Sequence, residues 1–360
     1  MIPISACIIT KNESANLDKC LAALASYPFE IVVVDTGSTD NSKEIARKYT
    51  NKVYDFTWVD DFSAARNYAA GRASHNMIFP VDTDEFVTRL DWEELQALIE
   101  QHPKSVGSIK RLDYFETDGE KRCQICMIDR IYHRNYYHYE QPIHEVLAPL
   151  DRTPYASYNT SVEMDHVGYL GPGNKLKDKA LRDMELLLKE LEQNPEEPYY
   201  YFQIGQSYML MRDPENSLLY FQKAMERHPD PRADYTHVLI YNYGHLLLEK
   251  GLLTQAAVLL EYYHYYNDNM DYLCLIGLYY LHLNQPLKAL PEFVKALTAP
   301  VRDMTDQREP SYYIGYIYEL FGKKDIARTH YLNCGADYAP AAEGLARLSS
   351  FTNMIKGEQT

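Results

Sequence analysis

The sequence predicts an α/β domain on a mostly parallel sheet, followed by an all-α domain of stacked helical repeats. Three observations lead there. Short apolar runs alternate with helix-spaced segments over residues 1–90. The run Glu30-Ile-Val-Val-Val-Asp35 is apolar without alternation, the mark of a strand covered on both faces and hence of a parallel sheet. Beyond residue 198, small and large residues recur at fixed offsets, as in stacked helix pairs. A chain of 360 residues suits two domains better than one.

Pro3 to Ile9 reads as the first strand, ending in Thr10-Lys-Asn-Glu13. Ser14 is expected to cap a helix whose Leu17, Cys20, Leu21 and Leu24 recur at helical spacing, and Pro28 ends it. Glu30 to Asp35 is the second strand, Thr36 to Ser42 the turn, and Lys43 to Tyr49 a helix. Val53 to Phe56 is a third strand, and Asp61-Phe-Ser-Ala-Ala-Arg-Asn67 opens another helix. Met77 to Val81 is a fourth strand. Such a series predicts right-handed crossovers, with ligands bound outside the carboxyl ends of the strands. Three polar clusters sit at such ends: 10–13, 35–40 and 82–85.

The fourth strand delivers Asp82, Asp84 and Glu85. On extended backbone Asp82 and Asp84 point to one side and Thr83 to the other. Two such carboxylates repel unless a divalent metal, or an Arg or Lys, sits between them. A metal there can bridge to a nucleotide diphosphate and neutralise a leaving group. An acidic turn before a helix is the competing use. No Gly-x-Gly-x-x-Gly follows the first strand and no P-loop occurs, which disfavours a dinucleotide fold and excludes a P-loop enzyme.

Asp91 is expected to cap a helix from Trp92 to about Gln101. Residues 105–132 alternate about a turn at Thr117-Asp-Gly-Glu120, predicting an antiparallel hairpin of Ser105–Glu116 and Lys121–Tyr132. Tyr136 to Val146 is dense in rings, His and Glu, groups that stack on or hydrogen-bond sugars. A strand around Thr160 to Met164 leads into Asp165-His-Val-Gly-Tyr169, and Gly171-Pro-Gly-Asn174 breaks the chain. The expected domains are residues 1–170, a linker helix at 171–197, and repeats at 198–360 with a capping helix at Ala341 to Phe351.

A formal charge of -15 argues against a nucleic-acid partner. No stretch approaches the roughly 20 apolar residues of a membrane span. Met1-Ile-Pro-Ile-Ser lacks a signal peptide's charged leader, and six scattered cysteines suit a reducing cytosol, so a cytoplasmic location is expected. Cys123-x-x-Cys126 has no second ligand pair and is expected to sit reduced on a strand.

Ile8-Ile-Thr-Lys-Asn-Glu13, Val33-Val-Asp-Thr-Gly-Ser-Thr-Asp40, Asp61-Phe-Ser-Ala-Ala-Arg-Asn67 and Asp82-Thr-Asp84, in this order, resemble the family 2 glycosyltransferases of GT-A fold. The resemblance covers about the first half of the chain. It implies that Asp35 pairs with a uracil ring, with Thr10, Asn12 and Glu13 beside the nucleoside and Arg66 on the nucleotide side of the pocket. Asp82 matches the aspartate that touches the ribose or the metal's water, and Asp84 the direct metal ligand. His166 resembles the histidine that completes the metal shell around Mn2+ or Mg2+. Glu145, in Pro142-Ile-His-Glu145, resembles the segment that supplies a general base, with His144 as orienter or alternate; the Glu-Asp dipeptide of many relatives is absent. Competing uses exist for each: Asp35 capping its turn, Arg66 paired with Asp61, Glu145 in a surface salt bridge, His166 as a core or cap residue.

In the second half Gly205, Gly244, Gly277 and Gly315 stand twelve residues before Ser217, Ala256, Ala289 and Ala327. Four further on lie Phe221, Leu260, Phe293 and Tyr331, then Ala224, Tyr263, Ala296 and Cys334. These match the packing positions of the tetratricopeptide repeat, a helix pair of about 34 residues. Tyr199 to Pro231 fits best. The many tyrosines serve packing, or a concave surface that grips a peptide or a second subunit. The joint layout resembles bacterial S- and O-glycosyltransferases that decorate peptide bacteriocins. It implies transfer of a hexose from a UDP-sugar to a peptide. The front half also resembles lipopolysaccharide-core and capsule enzymes, leaving a saccharide acceptor open. A repeat scaffold with a decayed transferase half is the reading from another class; a nucleotidyltransferase would need a Gly-rich loop after the first strand.

Overall fold

The computed structural model describes residues 2–117, 120–170, 173–233, 235–300 and 304–357. Contacts divide the chain into Met1–Leu186 and Leu187–Thr360. The expected turn residues Asp118 and Gly119, and the breaker residues Gly171 and Pro172, lie outside the described residues.

The first unit is built on an eight-stranded sheet. Its strands are β1 (Ile4–Thr10), β2 (Glu30–Asp35), β3 (Val53–Asp55), β4 (Met77–Val81), β5 (Glu85–Arg89), β6 (Val106–Thr117), β7 (Glu120–His133) and β10 (Ser157–Tyr169). β8 (Tyr137–Glu140) and β9 (Val146–Pro149) form a separate antiparallel pair. Helices α1 (Ser14–Ala25), α2 (Ser42–Arg47) and α3 (Phe62–Arg72) are the crossovers, and α4 (Trp92–Gln101) follows β5. Strand order is β3-β2-β1-β4-β7-β6-β10-β5.

β1, β2, β3 and β4 are mutually parallel, and β6 and β10 run parallel to each other and in the same direction; β7 runs antiparallel to β4 and to β6, and β5 antiparallel to β10. The expectation of a mostly parallel sheet therefore holds, with β5 and β7 as the reversed strands. Crossover helices stop at β4, and the tight hairpin that follows can join only antiparallel strands. The parallel strands are covered on both faces. Ile4, Ala6, Ile8 and Val33 join the cluster under α1, while Cys7, Val32 and Val34 join a second cluster with Ala69 and Ala70 of α3. Continuous burial of Ile31 to Asp35 is what an apolar run without alternation requires.

Asp61 and Asp91 cap α3 and α4 as their positions predict, accepting from Ala64 and Glu94 N–H at 2.8 and 3.0 Å. Ser14 does not cap α1. It is the first helical residue, and Asp40 from the loop after β2 takes its N–H at 3.1 Å. A carboxylate from a distant loop has displaced the local hydroxyl.

α5 (Gly173–Gln193) spans the division between the units, and Leu191 near its end packs on the repeat core. The second unit holds α6 (Pro198–Leu210), α7 (Pro214–Met225), α8 (Thr236–Glu249), α9 (Leu253–Ala256), a 3-10 helix (Ala257–Tyr262), α10 (Tyr263–Tyr266), α11 (Met270–His282), α12 (Pro286–Ala296), α13 (Glu309–Leu320), α14 (Lys324–Asn333) and α15 (Ala339–Gly357). Ser217, Ala256, Ala289 and Ala327 are fully buried. A Cβ on Gly205, Gly277 or Gly315 would strike Phe221, Phe293 or Tyr331, the predicted partners. Gly244 departs from the pattern: its neighbours are Leu275 and Leu259, and Leu260 is exposed. A 3-10 stretch turns 120° per residue instead of 100°, so the inward position slips from Leu260 to Leu259.

Candidate active site

Thr10 pairs with Asp35 and Ile8 with Val81, so the carboxyl ends of β2, β1 and β4 lie side by side. The three polar clusters therefore meet at one edge of the sheet. Asp35 is 1% exposed. Its Oδ1 accepts from Gly37 and Ser38 N–H at 2.9 and 2.8 Å, closing a turn in which Gly37 takes φ +109°. The turn-capping use of Asp35 is thus realised by one oxygen. The other oxygen, Oδ2, and the Thr10 hydroxyl are buried and have no hydrogen-bond partner among the described residues. Such orphaned atoms are rare in folded proteins, and here they offer polar contacts to a ligand. Asn12 and Glu13 lace this loop to the next one. Asn12 Oδ1 accepts from Thr39 N–H at 2.7 Å, and Glu13 N–H donates to Ser42 Oγ at 3.1 Å.

α3 grips the segment that carries Glu145. Phe62 N–H donates to the Pro142 carbonyl at 2.8 Å, and the Ser63 hydroxyl to the Gln141 carbonyl at 2.6 Å. The Asn67 amide donates to the Tyr139 carbonyl at 2.8 Å and accepts from Tyr139 N–H at 2.9 Å, as a strand partner would. His144, with φ 51°, turns the chain just before Glu145. Arg66, on the same helix, then donates from Nε to Glu145 at 2.5 Å and from Nη2 to Asp82 at 2.7 Å. Burial opposes the charge on Arg66, but Asp82 and Glu145 more than offset it, and its pKa rises. Arg66 does not pair with Asp61, whose carboxylate caps α3.

The strand ends at Val81, and Glu85 N–H bonds back to the Asp82 carbonyl at 3.0 Å, so residues 82–85 form a turn. Alternation therefore stops where Asp82 and Asp84 begin, and the two carboxylates separate. Asp82 faces Arg66 and also Arg130, at 3.3 Å. Both Asp82 oxygens, expected beside the metal, are thus engaged by guanidiniums, Oδ1 by Arg66 and Oδ2 by Arg130. Asp84 Oδ2 instead lies 3.5 Å from His166 Nε2.

On the far side of the ring, His166 Nδ1 sits 2.8 Å from Asp113 Oδ1, and Arg111 donates to Asp113 Oδ2 at 3.0 Å. Burial pushes the Asp113 carboxyl up, but Arg111 and His166 outweigh it and hold it below the usual range. Burial likewise disfavours a charged His166, yet the Asp84 carboxylate raises its pKa. Arg111 and Arg130 also both reach the buried Glu85, at 3.1 and 2.9 Å. Five carboxylates (Asp82, Asp84, Glu85, Asp113, Glu145) thus face three guanidiniums, an excess of negative charge that favours a cation.

Among the described residues no three candidate ligands cluster. A carboxylate oxygen and an imidazole nitrogen facing one gap nonetheless suit Mn2+ or Mg2+, with other positions open to water and phosphate oxygens. The gap survives because residue 168 is glycine: a Cβ there would fall on Asp84 Oδ2 and 2.6 Å from His166 Nε2. The sequence pointed to Arg66, Asp82, Asp84, Glu145 and His166, which the structure gathers into an Arg66–Asp82–Glu145 group and an Asp84–His166 pair, but not to Arg111, Asp113, Arg130 or Gly168. One signal was present: Arg111 and Asp113, two apart, share a face of β6.

The model of glycosyl transferase family 2 matches residues 5–161, and that of the tetratricopeptide repeat matches residues 198–231. A TPR repeat-containing protein of Synechococcus elongatus is 27% identical over 71% of this chain and 64% of its own. The SPbeta prophage-derived glycosyltransferase SunS of Bacillus subtilis is 24% identical over 61% of this chain and 53% of its own. The lipopolysaccharide core biosynthesis glycosyltransferase LpsC of Rhizobium meliloti is 28% identical over 41% and 58%. The chain thus spans between about half and two thirds of the length of these relatives. No helix among the described residues is long and apolar enough to cross a membrane. The first domain of this chain is a member of glycosyl transferase family 2, and tetratricopeptide repeats follow it.

Proposed function

We propose that the chain transfers a hexose from a UDP-sugar to a peptide or protein, with inversion and with help from Mn2+ or Mg2+. The observation that carries this reading is the Asp84–His166 pair at the end of β4, on the same sheet edge as the unpartnered Asp35 oxygen. Asp35 Oδ2 and the Thr10 hydroxyl receive the polar edge of the base. Asp84 and His166 would hold the cation, which supplies charge neutralisation for the departing diphosphate. Glu145, oriented by Arg66, takes the proton from the acceptor hydroxyl or thiol. The acceptor atom forms its bond to the anomeric carbon as the bond from that carbon to the diphosphate oxygen breaks. His144 serves as orienter or alternate base.

A peptide acceptor is supported by the repeats, whose unit carries a cleft of about 600 Å3 lined by Met270, Leu297, Arg308, Ser311, His330 and Asn333. Pairing of the repeat unit with a second copy is the other use of that domain. A saccharide or lipid-linked acceptor is the second reading, favoured by the similarity to LpsC. A decayed transferase is disfavoured because Asp84, which packing does not need, is present. Six free cysteines favour a reducing, cytoplasmic setting.

The test is a panel of nucleotide sugars with Mn2+, followed by mass spectrometry of released nucleotide. UDP release from a UDP-hexose is expected. Asp84→Asn should lose Mn2+-supported UDP affinity and keep its fold; unchanged affinity would remove the site.

A further inference from the structure

Asp113 and Gly168 touch neither the sugar-donor contacts nor Glu145, yet both bear on the Asp84–His166 pair. A carboxylate can only accept hydrogen bonds, so Asp113 at 2.8 Å requires the proton on Nδ1 of His166. In the neutral ring the lone pair then lies on Nε2, the atom that faces Asp84. Asp113 cannot itself swing away, because Arg111 holds its second oxygen at 3.0 Å and is in turn held by Glu85 at 3.1 Å. On the other side, Val167 N–H donates to the Asp84 carbonyl at 3.1 Å, which fixes β10 beside the turn that carries Asp84. That closeness leaves no room for a side chain at residue 168. A Cβ there would meet Asp84 Oδ2 and His166 Nε2, the two donor atoms themselves.

We propose that Asp113 and Gly168 are positioning residues for a divalent cation, an inference that rests on the metal-assisted reading above. Asp113 fixes the imidazole with Nε2 toward Asp84, and Gly168 keeps the space between the two donors open. An imidazole nitrogen is a softer donor than a carboxylate, and Mg2+ accepts it more reluctantly than Mn2+. The arrangement therefore prefers Mn2+, and disturbing the ring should erode that preference as well as the affinity.

The experiment measures Mn2+ binding in the presence of UDP by the electron paramagnetic resonance of the free ion, and Mg2+ binding by competition. Wild type, Asp113→Ala, Asp113→Asn and Gly168→Ala are compared, with thermal midpoint and metal-free UDP affinity as controls. Loss of an outer partner of a metal-bound histidine costs roughly 10–100-fold in metal affinity. Asp113→Ala and Gly168→Ala are expected to show that loss for Mn2+ and a smaller one for Mg2+. Asp113→Asn, whose amide oxygen still accepts from Nδ1, is expected to lose much less. Gly168→Ala should fold, because the atoms it displaces, Asp84 Oδ2 and His166 Nε2, are the ends of side chains and not backbone. If Asp113→Ala fails to fold, the other two variants decide. Folded Gly168→Ala with unaltered Mn2+ affinity, or an Asp113→Asn as damaged as a folded Asp113→Ala, overturns the inference. A wild type that binds no Mn2+ overturns the metal-assisted reading and the inference together.

Discussion

Arg66 does two things that a lysine ammonium could not combine. Its planar fork places Nε on Glu145 and Nη2 on Asp82 at once, both within 2.7 Å. The carboxylate proposed as base is thereby aimed by a residue that is itself immobile. Glu145→Gln keeps an oxygen for Arg66 Nε but cannot take up a proton. Single-turnover transfer is expected to fall by about 100-fold or more, with UDP affinity on calorimetry unchanged. Transfer at the wild-type rate would remove Glu145 as the base. Every member of the Arg66–Asp82–Glu145 group was visible in the sequence, but their pairing was not. Alternation put Asp82 with Asp84, and it failed because the strand stops at Val81 and a turn intervenes. Arg111, Asp113 and Arg130 were read only as members of an alternating hairpin. Beyond the Arg111–Asp113 contact itself, their partners lie 26 to 53 residues away, a distance that local spacing does not report.

The elements were more legible than their contacts, since caps, turns and apolar periods are local chemistry. Asp61 and Asp91 start their helices where expected, whereas α1 takes its cap from Asp40 across the sheet edge. In the repeats, three of four glycines meet the predicted ring, and only the 3-10 stretch at Ala257–Tyr262 shifts the pattern. No residue in that stretch is a proline or glycine, so nothing local marks the change of helix type. The close approach at Gly277 is testable by its packing. A methyl there would sit 2.5 Å from the Phe293 ring, and overpacking of this kind costs about 1–3 kcal/mol. Gly277→Ala should lower the thermal midpoint accordingly. Gly71→Ala in α3, with open space around the added methyl, should hold it or raise stability by roughly 0.5–1 kcal/mol. Equal midpoints for the two variants would show that the glycine of the repeat is not there for room.

At the scale of the whole molecule, each unit has its own buried core: Ile4, Leu21 and Phe79 among others in the first, Phe221, Leu247 and Ile276 in the second. Deleting residues 198–360 should therefore leave a folded first domain that binds UDP and hydrolyses donor slowly. Transfer to a peptide acceptor should drop sharply if the repeats recognise it, and undiminished transfer by the truncated protein would remove that role. The order of the two domains could be read from motif spacing alone. The strands beyond β4 could not be ordered, because their pairing depends on contacts between distant segments. From Asp113 through Arg111, Glu85, Arg130 and Asp82 to Arg66 and Glu145, opposite charges alternate without a break, and the His166 ring hydrogen-bonds to Asp113 at one end. Removing the charge of a buried inner member, Glu85 or Arg130, leaves two opposite charges without it, so tolerated variation at those positions comes as compensating pairs.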